Sequence, residues 1–342
     1  MTQTMKAIGY QKSLPAQDMA ALNDIELPTP EPKGQDLLVE VKAIAVNPVD
    51  TKIRANVEPE ANAWKVLGWD AAGIVKAVGE DVTDYKPGDK VWYAGDLTRQ
   101  GSNAEYQLVD ERIVGRKPES LDFAAAAALP LTAITAWEML FDRLNIQQGS
   151  AHEGEKLLVI GAAGGVGSIL VQLARQLTNL TVIATASRPE SKAWLEELGA
   201  HHVISHKESL SEQVQAFGLG EVDHVVSLNQ TEAHLDEIVK ALKPQGQFGL
   251  IDDPEALNVR ALKSKCLSLH WEFMFTRSMY ETDDMSAQQA LLNQVAQLID
   301  QGVLKSTLGL HAGAINAANL RQAHEQLETG STIGKIVLEG FE

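Results

Sequence analysis

The run from Lys156 to Arg175, KLLVIGAAGGVGSILVQLAR, restricts what this chain can fold into more than any other stretch. Leu157 to Ile160 has the length and β-branched content of a buried strand. Ile169, Leu170, Leu173, Ala174 and Leu177 then recur at helical spacing. Between them Gly161, Gly164 and Gly167 stand three residues apart, and in a strand-to-helix turn each has its own task. Gly161 turns the chain off the strand, Gly164 lets backbone approach a pyrophosphate, and Gly167 lets the helix pack closely on the sheet. The free N–H groups and positive dipole end of that helix then face phosphate. Strands and helices alternate downstream, which is the context this motif requires, so the pattern predicts dinucleotide binding.

The alternation runs from 156 to 251. Leu157 to Ile160, Thr181 to Thr185, His202 to Ser205, Val222 to Ser227 and Gln247 to Ile251 read as strands, with a sixth at Leu267 to Trp271. Pro189 to Leu198, Leu210 to Ala216 and Glu232 to Leu242 read as the intervening helices. This order predicts an α/β fold with a doubly wound parallel sheet. Residues 5 to 110 read instead as short strands broken by glycine and proline: Leu38 to Ala43, Gly73 to Gly79, the turn and strand Lys86 to Trp92, and Ala104 to Val109. A barrel-like β domain is expected there. An alanine-rich helix over Phe123 to Leu129, stopped or kinked at Pro130, and an amphipathic helix from Ala133 to Leu144 form the expected hinge. Ala287 to Ile299 and Ala317 to Leu327 read as helices, and Ile333 to Leu338 as a closing strand.

The 342 residues suffice for two domains. A formal charge of −17 repels nucleic acid and anionic membrane surfaces, so no partner of either kind is expected. No uninterrupted apolar run approaches the roughly 18 residues that span a bilayer, and the segment Met1 to Lys6 lacks a signal-like apolar core. A cytoplasmic enzyme is the expectation. The single cysteine, Cys266, excludes an internal disulfide and a cysteine-rich zinc site, and its apolar neighbours predict burial. His201 and His202 are adjacent on one strand and point to opposite faces, so they do not share a metal.

The order of elements resembles the medium-chain dehydrogenase/reductase superfamily. The local motifs are similar to its zinc-free quinone oxidoreductase branch, the relatives of zeta-crystallin. The segments that carry the resemblance are Val46-Asn-Pro-Val-Asp-Thr-Lys-Ile-Arg54, Leu67-Gly-Trp-Asp-Ala-Ala-Gly73 with its continuation to Gly79, Ala162-Ala-Gly-Gly-Val-Gly167 and Gly334-Lys-Ile-Val-Leu338. The resemblance implies a GroES-like β-rich catalytic domain, 1–127 and 278–342, and an NAD(P)-binding Rossmann domain, 128–277. Where zinc-dependent members of the superfamily carry cysteine, histidine and a further cysteine or acid, this chain has Asn47, Trp69 and a position near Thr132. None supplies a soft nitrogen or sulfur ligand, so no metal site is expected; Asp50 and Asp70 remain as oxygen donors only.

The resemblance places coenzyme contacts at Gly161, Ala162, Ala163, Gly164, Gly165, Val166 and Gly167, at Ser187, Arg188 and Lys192, at His206 and Asn229, and at Lys335. NAD-preferring sheets end the second strand with an acid that bonds the ribose 2′-hydroxyl. Ser187, Arg188 and Lys192 stand there instead, a hydroxyl and two cations suited to a 2′-phosphate, which predicts NADPH. The implied reaction is hydride transfer to a quinone or similar conjugated carbonyl. Asn47 is expected to donate to the acceptor oxygen, Asp50 to line the site and Thr132 to lie near the nicotinamide carboxamide. An enal or enoyl reductase and a non-catalytic NADPH-binding protein remain as rivals. The aromatic segment His270 to Arg277 fits a quinone-stacking surface or a subunit interface equally well, and a homodimer is expected from the resemblance.

Overall fold

A computed structural model describes residues 3–341, and its contacts divide the chain into two compact units. Unit 1 comprises Met1–Ile134 and Phe275–Glu342, and unit 2 comprises Thr135–Met274. The resemblance implies 128–277 for the second unit, a few residues wider at each end.

Unit 1 is built on a seven-stranded sheet whose longest member is Asp36–Ala45. The hydrophobic residues of that strand are buried and the intervening Glu40 and Lys42 are only partly covered. Ala71–Val78 pairs antiparallel with it on one side, with Ile44 opposite Ala71. The C-terminal strand Lys335–Glu339 pairs antiparallel on the other, with Val337 opposite Ala45. These registers have a consequence for function. Asn47, Asp70 and Lys335 each lie just past or at the end of a strand on the same side of the sheet, although 288 residues separate the first from the last. A three-stranded sheet, with Thr4–Tyr10 between Asn23–Pro28 and Lys65–Val66, completes the unit's β structure.

Pro130 opens a helix, Pro130–Trp137, and does not merely end the preceding one, Phe123–Ala127. In a first turn its missing N–H costs nothing. The stretch Phe123–Arg143 is, among the described residues, long and apolar enough to cross a membrane by length and composition, but 89 % of its most apolar window is buried inside the protein. That qualifies the expectation that nothing here approaches spanning length. Regular apolar content without an unbroken apolar run has produced a core helix.

Unit 2 is a six-stranded parallel sheet ordered His202–Ile204, Thr181–Thr185, Lys156–Ile160, Val222–Ser227, Leu242–Leu250, Ser268–Trp271. In chain order this is 3-2-1-4-5-6, the doubly wound Rossmann arrangement. Val222–Ser227 is buried at every position, as a central strand covered on both faces must be. The direction of strand order reverses between Lys156–Ile160 and Val222–Ser227, where such sheets bind ligands beyond their carboxyl ends.

One expectation fails in this unit. Cys266 is exposed and not in the core. It caps the 3-10 helix Val259–Lys265 in left-handed conformation, with φ 49°, so its side chain is turned out before the edge strand begins. Apolar neighbours in sequence do not reveal that turn.

Candidate functional site

The first component is the turn after Ile160. Gly161 adopts φ 76°, the left-handed region, as the chain leaves the strand. Gly167 lies against the turn so closely that a Cβ would stand 2.3 Å from the carbonyl oxygen of Ala162. Gly164 is different: a Cβ there would meet only the Gly161 carbonyl oxygen, at 3.7 Å. It is the N-cap of the helix Gly165–Leu177 and brings no side chain to cap the first turn. The first-turn N–H groups are therefore open to an anion, and the missing side chain leaves room for it. The residues present fit the diphosphate of a dinucleotide.

Other expected coenzyme positions follow the carboxyl ends of the neighbouring strands. Ser187 and Arg188 follow Thr181–Thr185, and Arg188 is the exposed N-cap of Pro189–Glu197. Lys192 is exposed one turn on, 3.8 Å from Glu196. His206 follows His202–Ile204 and faces His234, ring centroids 6.2 Å apart. Burial and the His234 and Lys207 charges hold His206 below the usual imidazole range. Asn229 follows Val222–Ser227 and is exposed, and its side chain sits beside Gly161.

The second component lies within unit 1 and is almost sealed from water. Asn47 is the N-cap of the helix Pro48–Asn56, and Asp50 three residues later returns a carboxylate oxygen to the Asn47 N–H at 2.7 Å. Asp70 Oδ1 accepts from the Leu131 N–H at 2.8 Å, and Asp70 Oδ2 accepts from Asn47 Nδ2 at 2.9 Å. Lys335 Nζ then donates to Asp70 Oδ2 at 2.8 Å and to Asn47 Oδ1 at 2.5 Å. Asn47, Asp50, Asp70 and Lys335 are all buried.

Two carboxyl groups therefore share the field of one ammonium in a dry place. Burial pushes the Asp50 carboxyl up to about 7, with the Asn47 N–H and the Lys335 charge opposing the rise. The Gly68 backbone N–H opposes the rise as well, more weakly. Burial raises Asp70 as well, against the pull of Lys335, the Leu131 N–H and Asn47. Burial thus pushes both carboxyl groups toward the protonated form, against the pull of the Lys335 ammonium.

The geometry shows how three of the expected site residues are held. The Asn47 amide is engaged with Asp70, the Trp69 carbonyl and Lys335, so it is not a free donor aimed at an acceptor. Lys335 joins this cluster through Asn47 and Asp70. Thr132 donates back to the Leu129 carbonyl at 3.0 Å as the helix begins. Asp70 is the residue undervalued from sequence: a lone carboxylate between Trp69 and Ala71 in an apolar run demands a buried partner, and that signal is readable.

Residues 33–119 match the alcohol dehydrogenase GroES-like domain family, and residues 198–338 match the zinc-binding dehydrogenase family. Over 336 residues, 98 % of this chain and 99 % of the relative, the chain is 40 % identical to a zinc-type alcohol dehydrogenase-like protein of Staphylococcus aureus (strain MSSA476). The chain belongs to the medium-chain dehydrogenase/reductase family. It is an oxidoreductase of a family that binds NAD(P)H. It is also 32 % identical to the quinone oxidoreductase of Mus musculus, covering 90 % of each chain. A solved structure from Rhizobium etli CFN 42, named for the zinc-dependent alcohol dehydrogenases, matches with 56 % identity, a TM-score of 0.97 and full coverage of both chains. That of the quinone oxidoreductase from Coxiella burnetii matches with 28 % identity and a TM-score of 0.80, over 98 % of this chain and 99 % of the other.

Zinc, which some of those names carry, is not suited to the Asn47 cluster. Trp69 offers no ligand atom and donates its Nε1–H to the Asp96 carbonyl. The remaining oxygens of Asn47 and Asp70 already hold the Lys335 ammonium, a cation that a metal would have to displace.

Proposed function

We propose that the protein is an NADPH-dependent oxidoreductase that delivers hydride to a quinone or a similar conjugated carbonyl without zinc. The observation that carries this reading is the Lys335 ammonium held between Asn47 and Asp70. In a zinc enzyme the metal, as a Lewis acid, carries the charge that forms on an alcohol or aldehyde oxygen. A conjugated acceptor spreads that charge, and fixed donors with a buried cation suffice. Likeness to quinone oxidoreductases of two mammals at 30 % and 32 % identity supports the same acceptor class.

When bound, the reduced nicotinamide supplies the hydride. The Gly161–Gly167 turn and the uncapped first turn of Gly165–Leu177 hold the diphosphate, and Ser187, Arg188 and Lys192 favour a 2′-phosphate over a bare hydroxyl. In unit 1, Lys335 keeps positive charge at the cluster and Asp50 keeps a proton near neutrality. That proton serves a second reading equally well, reduction of an enal, because the hydroquinone anion and the enolate left by hydride addition each take up one proton. Trp271, half-exposed on the edge strand Ser268–Trp271, and the exposed Phe273 support assembly as a homodimer.

The test is a panel of quinones, enals and simple alcohols assayed with both nicotinamides, with and without a chelator. Consumption of NADPH by quinones or enals that survives the chelator is expected. Turnover confined to alcohols and dependent on added zinc overturns the reading.

A further inference from the structure

We propose that His152, Glu155 and His224 form a binding site for one divalent transition-metal ion, zinc by preference, at the amino end of the parallel sheet of unit 2. It is independent of the nucleotide and of the acceptor chemistry.

The three residues come from elements whose positions are fixed by the sheet. Glu155 immediately precedes the strand Lys156–Ile160. His224 lies in the adjacent strand Val222–Ser227, in register with Leu157. His152 sits in the tight turn just before Glu155. Both imidazoles converge on one carboxylate oxygen: Glu155 Oε2 is 2.8 Å from His224 Nε2 and 2.9 Å from His152 Nδ1. The rings stand nearly perpendicular at 76°, centroids 6.1 Å apart, so the two nitrogens approach from different directions and do not stack. One ligand atom from each residue lies within 4.8 Å of the other two.

Two imidazole nitrogens and one carboxylate oxygen, with a fourth position for water, is a donor set that zinc uses. Imidazole selects against magnesium and calcium, which prefer oxygen throughout. The nearby Asp223 does not complete the set, because it accepts from Lys243 and from the Lys156 N–H. His224 is buried, and among the described residues its Nδ1 has no hydrogen-bond partner. When Nε2 gives its lone pair to a metal the proton moves to Nδ1, which meets no acceptor. The site therefore binds more weakly than one whose histidines are supported from behind.

The strand Lys156–Ile160 separates Glu155 from the Gly161 turn by about 20 Å, at ~3.3 Å per residue. A metal here ties the turn to two strands and leaves hydride transfer untouched.

The full chain, stripped by chelator, is titrated with zinc by calorimetry and by thermal unfolding. Saturation at one zinc per chain with a raised Tm is expected. His152→Ala, in an exposed turn, and the conservative Glu155→Gln should each abolish both signals while the circular dichroism spectrum stays unchanged. Asn47→Ala in unit 1 should still bind one zinc, and turnover of the wild type with its acceptor should be equal with and without the metal. No saturable binding, or binding that survives both unit 2 variants, overturns the proposal. Binding lost in Asn47→Ala instead would overturn it and the zinc-free reading of unit 1 together.

Discussion

Replacing Asp50 by asparagine should reverse the way unit 1 responds to pH. Asp50 is fully buried, and its carboxyl is raised from 3.8 to about 7, chiefly by burial. The sign follows from proton uptake. Below about pH 4 the group is protonated folded and unfolded, so its contribution to stability is fully present. As pH rises toward 7 the unfolded chain releases the proton while the folded one keeps it, and stability is lost. Three pH units at about 1.36 kcal/mol each amount to roughly 4 kcal/mol, shared with the coupled Asp70 and Lys335. An amide in place of the carboxyl keeps an acceptor for the Asn47 N–H and cannot ionise. The stability of Asp50→Asn relative to wild type should therefore climb by roughly 3–4 kcal/mol between about pH 4 and pH 8. The assay is urea unfolding at several pH values, read by amide exchange in the strand Asp36–Ala45, which reports unit 1 alone. Carboxyl groups outside this cluster are common to both proteins and cancel. Parallel stability curves would refute the argument.

Gly164→Ala should fold normally, since its Cβ meets nothing closer than 3.7 Å, yet bind NADPH at least about ten-fold more weakly because the methyl occupies the approach to the diphosphate; unchanged affinity by fluorescence titration would remove the turn from the coenzyme site. Gly167→Ala should lose stability outright, visible as a lower Tm, because its Cβ would collide with Ala162 backbone. Arg188→Ala should raise the NADPH KM by about ten-fold or more through loss of a charge-assisted bond while sparing NADH, and equal effects on both would refute the 2′-phosphate assignment. Lys335→Met should cost about 3–5 kcal/mol by leaving Asp70 buried without its cation. The double variant with Asp70→Asn should recover much of that loss, and additive losses in the thermal midpoints would argue against the pairing.

The Rossmann half is legible because its signals are local. Leu157 to Ile160 is an unbroken apolar run buried throughout, Leu210 and Val214 are buried at helical spacing, and the glycine turn announces itself within seven residues. The β-rich half is less so. Lys65–Val66 and Val114–Arg116 are too short to show alternation, and each exists because a neighbour offers a pairing edge. The buried cluster is partly visible: Asn47 and Asp50 stand at capping-box spacing, which fixes their mutual contact. What fills the cluster is not visible, because Lys335 reaches Asn47 and Asp70 only through strand pairing. Sequence spacing carries no trace of a partner that distant. Cys266 fails for the same reason in reverse, since a single left-handed residue redirects a side chain that its neighbours suggest is inside.

The position of Lys335 also says something about how this protein comes into being. A ribosome makes Asn47 and Asp70 well before the lysine, which follows the aspartate by 265 residues. Until then two carboxyl groups destined for the interior have no counter-charge, so this corner of unit 1 stays hydrated while the nucleotide-binding unit, contiguous in the chain, can close during synthesis. The buried cluster is thus completed only when the strand Lys335–Glu339 arrives, and a nascent chain halted short of it would carry a finished Rossmann fold beside a unit 1 that still lacks its counter-charge.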